Sequence, residues 1–134
     1  MNPAAPSRRQ ARERALSLLY EAETKDMAPL DVVAELPVEP APFASELVSG
    51  VSRNREEVDG YIRRFSRGWA LERMPAIDRA LLRIGVFELL HRPDVPTAAV
   101  LSEAVDLASR YSTDDSGRFV NGVLAQIAKE VRPE

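Results

Sequence analysis

The sequence predicts an all-α fold. Two observations carry that prediction. Apolar residues recur at three- and four-residue spacing along most of the chain, and no stretch shows convincing period-two alternation. A third sets the punctuation. Prolines gather as Pro37, Pro40 and Pro42, and again as Pro93 and Pro96, breaking the chain after its first third and before its last two helices. A chain of 134 residues fits one domain and can bury a core without metal or disulfide staples.

The first helix is predicted from Ser7 to about Thr24. Ser7 and Gln10 have capping-box spacing, and Ala11, Ala15, Leu18, Leu19 and Ala22 form the apolar face. A second flank, Arg9, Arg12, Glu13, Leu16 and Tyr20, runs roughly 16 Å at 1.5 Å per residue. It reads either as a track for a short single strand or as an exposed flank with Tyr20 half-buried. A short helix follows over Pro29 to Leu36, with proline suited to its first turn. Another starts near Pro42 and carries Phe43, Leu47, Val48 and Val51. A boundary at Ser52-Arg53-Asn54 leads into a helix with Val58, Tyr61, Ile62 and Phe65. Gly68-Trp69 reads as a turn, with Trp69 expected to pack over the joint between two helical groups.

The helix from about Ala76 to His91 is apolar on nearly every side, so it is expected at the centre. Its exceptions are Asp78, Arg79, Arg83 and Glu88, and each charge needs a partner if buried. The partner could be internal, another protein or a phosphate. His91 falls in the last turn, where a cation suits the helix dipole. After Asp94-Val95-Pro96-Thr97 a helix runs to about Tyr111 with Leu101, Ala104, Val105 and Ala108 as its core stripe. The loop Ser112 to Gly117 offers several N-cap candidates, Asp114 and Asp115 among them, and the final helix buries Val120, Val123, Leu124, Ile127 and Val131.

Composition removes several function classes. There is no cysteine and one histidine, so disulfides, thiolate zinc sites and cysteine nucleophiles are excluded, and a His-paired nucleophile has little material. No Walker, GxSxG or GxGxxG pattern occurs. The amino terminus lacks the apolar run of a signal peptide and no stretch is long enough for a membrane span, so a cytoplasmic protein is expected. The net charge is −3 but unevenly spread: Arg8, Arg9, Arg12 and Arg14 stand near the start, and an acidic stretch follows to Glu46.

The segment Asp114-Asp115-Ser116-Gly117-Arg118-Phe119-Val120-Asn121-Gly122 is the most informative. Arg118 lies in the first turn of the last helix, where a cation opposes the macrodipole unless it serves a partner or pairs with Asp114 or Asp115. Phe119 lies a quarter turn from the core face. Either Phe119 plugs a joint with the first helix, or it stacks on a base while Arg118 takes a phosphate. Gly122 costs about 1 kcal/mol relative to alanine, which predicts close approach of another helix or chain there.

At these residues the sequence resembles the NusB family of bacterial transcription antitermination factors. The resemblance lies in Arg8-Arg9 with Ala11 to Leu16 and Leu19-Tyr20; in Asp78 to Ile84 with Glu88-Leu89; and in Asp94-Val95-Pro96, Ser102 to Ala108 and Asp115 to Leu124. It covers nearly the whole chain in order. It implies about seven helices in two packed bundles, about 1–68 and about 69–134, forming one RNA-binding domain over 1–134. It implies a non-enzymatic factor without cofactor that joins NusE, a small-subunit ribosomal protein, on the boxA element of nascent ribosomal RNA transcripts, so that RNA polymerase resists termination. Carried over by position, the RNA surface would comprise Arg8, Arg9, Arg12, Tyr20, Asp115, Ser116, Arg118 and Phe119. The NusE surface would comprise Asp78, Arg79 and Arg83. Gln10 stands where many relatives add a cation, which thins the basic arm. Some relatives form homodimers that cover the RNA face. Two other readings compete: a protein-only helical scaffold, and a targeting module like the NusB-like domain of ribosomal-RNA cytosine methyltransferases. The RNA reading requires the first and last helices to lie side by side, with Tyr20 and Phe119 in one groove.

Overall fold

The computed structural model describes residues 7–133; the amino-terminal segment judged against a signal peptide lies outside the described residues. Among the described residues seven α-helices occur in order: α1 (Arg8–Thr24), α2 (Pro29–Ala34), α3 (Pro42–Arg53), α4 (Arg55–Phe65), α5 (Ala76–His91), α6 (Thr97–Tyr111) and α7 (Ser116–Val131). A single 3-10 turn, Leu71–Arg73, lies between α4 and α5. No strand occurs among the described residues. The local signals act as their chemistry predicts. Ser7 and Gln10 form the reciprocal capping box of α1, and Pro29 and Pro42 occupy the first turns of α2 and α3.

Helix α5 is the centre. It packs against α1, α3 and α4 and equally against α6 and α7. Leu81, Leu82, Ile84, Val86 and Leu89 bury fully in one continuous apolar cluster with Leu18, Leu47, Ile62, Leu107 and Leu124. Burying each such side chain stabilises the fold by about 1.5–3 kcal/mol before the entropy of ordering is counted. No helix among the described residues is long and apolar enough to cross a membrane.

The four charges Asp78, Arg79, Arg83 and Glu88 of α5 are all buried, and each is answered from outside the helix, two of them from α1. Arg12 of α1 donates to both oxygens of Glu88, at 2.9 and 2.7 Å. Arg83 donates to both oxygens of Asp59 in α4, at 2.8 and 3.1 Å. Arg79 pairs with Glu23 at the end of α1 and donates to the carbonyls of Leu71 and Met74. The Asp78 carboxylate accepts from the hydroxyls of Ser112 and Ser116. Satisfied this way, the charges fix where α1, α4 and the α6–α7 loop sit on the central helix. At the other end of α5, Arg132 donates to the carbonyls of Glu88, Leu89, Arg92 and Val95, closing the helix terminus.

The Gly122 expectation changes. A Cβ at Gly122 would meet nothing within 4 Å, so no neighbouring helix explains it. The close crossing belongs to Gly117, where a Cβ would lie 2.7 Å from Ser109 Oγ on α6. On α6 the buried stripe is Val100, Ala104, Leu107 and Ala108; Leu101 and Val105 stay partly exposed toward α7.

Candidate nucleic-acid interface

The carboxyl-terminal candidates form one local structure. Asp115 is the N-cap residue of α7, yet its side chain makes no capping bond. Ser116 does the ordering instead. Its buried hydroxyl accepts from the Thr113 N–H at 3.1 Å and donates to Asp78 at 2.9 Å. This bolts the start of α7 onto the start of α5 and leaves Arg118 and Phe119 facing outward. Arg118 is exposed and makes no ion pair, with Asp114, Asp115 or any other carboxylate among the described residues. Phe119 is half-buried on the rim of an open hollow of about 580 Å³ that Arg118, Met74, Pro75 and Trp69 also line.

The α1 candidates divide. Arg12 is only 4 % exposed and fully engaged by Glu88, which is 1 % exposed. It is therefore corrected from a strand-facing cation to a buried strut. Leu16, on the same flank, is buried too. Side chains of α6 reach across to this flank: Arg9 pairs with Glu103 and Asp106, and Glu13 accepts from Tyr111. Arg8 and Arg9 remain partly exposed at the edge. Arg8 reaches Asp94 at 3.1 Å and stands over the Phe43 ring. Exposed pairs of this kind are worth about 0–1 kcal/mol, so a phosphate can displace the carboxylates at little cost. Ser116, nominated for RNA contact, is likewise buried and acts through Asp78.

The requirement that α1 and α7 lie side by side is not met. α1 packs on α2, α3 and α5, whereas α7 packs on α4, α5 and α6. Tyr20 is 45 % exposed in its own hollow with Ile77 and Tyr111, separate from that of Phe119. The start of α5 and the end of α6 divide the two, with Ile77 bordering one hollow and Pro75 and Asp78 the other. What joins the ends of the chain is the outer face of α6. Asp106, the partner of Arg9, borders the same shallow depression as Arg118. The edge between the two ends thus runs from the cations of α1, past Glu103 and Asp106 on α6, to Arg118 at the start of α7.

The residues nominated for a protein partner, Asp78, Arg79 and Arg83, are all inside and internally satisfied. Burial, then the neighbouring Arg83, holds the Arg79 guanidinium below its ordinary pKa. Of the alternatives that the sequence left open for these charges, the internal one holds.

Sequence reasoning missed two contributors. Trp69, expected as packing material, is 59 % exposed and meets the Phe119 ring edge-to-face at 5.9 Å. The α6 surface around Asp106 lies within the Ser102-to-Ala108 block of the family resemblance, but no site role was read from it. The Ser66-to-Trp69 turn was the available signal for the first: a tryptophan on a glycine turn next to charged residues is less enclosed than one in a helix stripe.

With this geometry in hand, similarity to known proteins becomes informative. The NusB family model matches residues 9–129. The chain belongs to the NusB family. It is 47 % identical over 132 residues to the transcription antitermination protein NusB of Heliobacterium modesticaldum, covering 94 % of this chain and 64 % of that protein's length. It is 46 % identical over 127 residues to the NusB protein of Kineococcus radiotolerans, covering 92 % of this chain and 93 % of that one. Its fold resembles a solved structure of antitermination factors NusB and NusE in complex with dsRNA, with a TM-score of 0.78, 31 % identity and coverage of 92 % and 96 %.

Proposed function

We propose that this protein is a transcription antitermination factor that binds boxA RNA of nascent ribosomal RNA transcripts together with NusE and helps RNA polymerase resist termination in the cytoplasm. It works by binding, without cofactor or catalysis of its own. The observation that carries the RNA reading is the unpaired, exposed Arg118 beside Phe119 at the mouth of an open hollow. Arginine supplies a salt-dependent phosphate contact and the ring a stacking platform. Unpaired RNA suits such a platform because its base faces are free. The names of the relatives support antitermination, and the neighbour's assembly of NusB and NusE with dsRNA supports RNA and NusE as partners.

Arg8, Arg9, Arg118, Phe119 and the exposed Asp115 form the proposed RNA edge, and Tyr20 extends it in a neighbouring hollow. Arg12, Ser116 and Asp78 hold that edge in place rather than touching RNA. NusE adds surface and binding energy, since on the proposed edge Arg8 and Arg9 are shared with carboxylates and only Arg118 makes no ion pair among the described residues. Binding of boxA RNA, measured with and without NusE for Phe119→Ala and Arg118→Ala, tests the proposal. A loss of about 1–3 kcal/mol is expected for the ring. Unchanged affinity in both variants, with the fold intact, would place the RNA elsewhere.

A further inference from the structure

We propose that Trp69 is a base-binding residue: with Phe119, Met74 and Pro75 it forms a slot for one unpaired nucleobase, with Arg118 at the mouth for the adjoining phosphate. The inference rests on the RNA-binding reading above and adds to it a residue outside α1 and α7.

The indole is the anomaly that starts the argument. Trp69 is the only tryptophan in the chain, and most of its surface is open to solvent. Large aromatics ordinarily bury 150–250 Å², so leaving one outside forgoes a substantial stabilisation. Nor is the residue loosely held. Its N–H donates to the Ser66 carbonyl at 3.1 Å, and the Ser66 hydroxyl donates to its own carbonyl at 3.0 Å. Gly68 adopts φ 77°, a conformation that glycine accepts freely, to make the turn. Both backbone polar groups of Trp69 are thus fixed while its ring projects over the hollow.

The surroundings select a base over other occupants. Trp69 comes from the α4–α5 link and Phe119 from α7; their rings touch edge-to-face at 5.9 Å with planes 61° apart and, with Met74 and Pro75, line one open hollow, so that a base stacks on a ring face from the hollow side. Pi-faces accept any nucleobase at about 1–3 kcal/mol per stack. The free cation on the rim is Arg118, suited to the phosphate that follows a bound base. Asp115, also on the rim, offers an acceptor to an exocyclic amine, which favours cytosine, adenine or guanine over uracil. An apolar peptide side chain would use the walls but leave both charged groups idle.

Because Trp69 stands alone, its fluorescence reports on the slot directly. Titrating the full chain with unlabelled boxA oligonucleotide should quench that fluorescence, saturating in step with binding measured by anisotropy of labelled RNA. Trp69→Leu should weaken RNA binding about 5- to 150-fold, and Trp69→Phe should retain most of the affinity. Circular dichroism confirms that each variant folds. Two results would overturn the inference and leave the RNA reading standing: RNA that binds without changing the fluorescence, or Trp69→Leu binding with wild-type affinity. Fluorescence that responds to NusE and not to RNA would also overturn it, making the indole a protein contact. Absence of any RNA binding by the wild-type chain, with NusE present, would remove both readings together.

Discussion

Replacing Arg12 with methionine should cost about 3–5 kcal/mol of stability, whereas replacing Arg12 and Glu88 together, by methionine and leucine, should cost little or even stabilise. The reasoning starts from burial. Both side chains are at most 5 % exposed and meet through two hydrogen bonds of 2.9 and 2.7 Å. Removing the guanidinium strands a carboxylate in the core, while its desolvation has already been incurred. Removing both leaves neither charge. Methionine keeps much of the arginine stem, so lost packing contributes little. Against a total stability of about 5–15 kcal/mol, the single variant should unfold at visibly lower urea concentration with an unchanged slope. The double variant should also bind boxA RNA as the parent does, because Arg12 is a strut. A single-variant cost under about 1 kcal/mol, or loss of RNA affinity in the folded double variant, would refute the buried role.

Three further predictions follow from the same contacts. Asp78→Ala removes the acceptor for two hydroxyls that hold the α6–α7 loop; it should cost about 1–3 kcal/mol in thermal or urea unfolding and lower RNA affinity through Arg118 and Phe119. Gly122→Ala should stabilise by up to about 1 kcal/mol in urea unfolding, since the added methyl meets only open space, whereas Gly117→Ala should fall short of that gain, because its methyl must turn the Ser109 hydroxyl aside. The hydrogen bond from Arg92, helped by Arg8, lowers the Asp94 carboxyl from 3.8 to about 2. Its folded pKa is depressed, so its contribution is present above the ordinary value and lost as pH falls through about 2. Asp94→Asn should flatten the acid limb of stability over that window, and a chemical-shift titration of Asp94 should show the low midpoint directly.

Helix positions were legible because periodicity, proline and capping chemistry are local. The Ser7–Gln10 box, the proline first turns and the all-round apolar α5 needed no tertiary information. The need for partners on Asp78, Arg79, Arg83 and Glu88 was legible too, but not who they were. Glu88 finds Arg12 across 76 positions, and nothing short-range selects it over Arg9 or Arg8. The same nonlocality hid the α6 side chains that reach across to the Arg9–Glu13 flank, so a stripe that reads as open is partly engaged. Gly122 illustrates the reverse error: its helix cost is visible in sequence, but only three dimensions show that Gly117 makes the close crossing. At the proposed interface, Arg118 and Phe119 stood out by their chemistry, whereas Trp69 did not, because composition favours tryptophan as core.

Amide chemical-shift mapping of the labelled chain, titrated with unpaired boxA RNA, tests the central claim most directly. Perturbations should concentrate at Arg8 and Arg9, along α6 near Asp106, and from Asp115 to Phe119, leaving the cleft lined by Arg55, Asp59, Arg79 and Arg83 quiet. Shifts centred on that cleft, with Arg118 and Phe119 unmoved, would contradict the account.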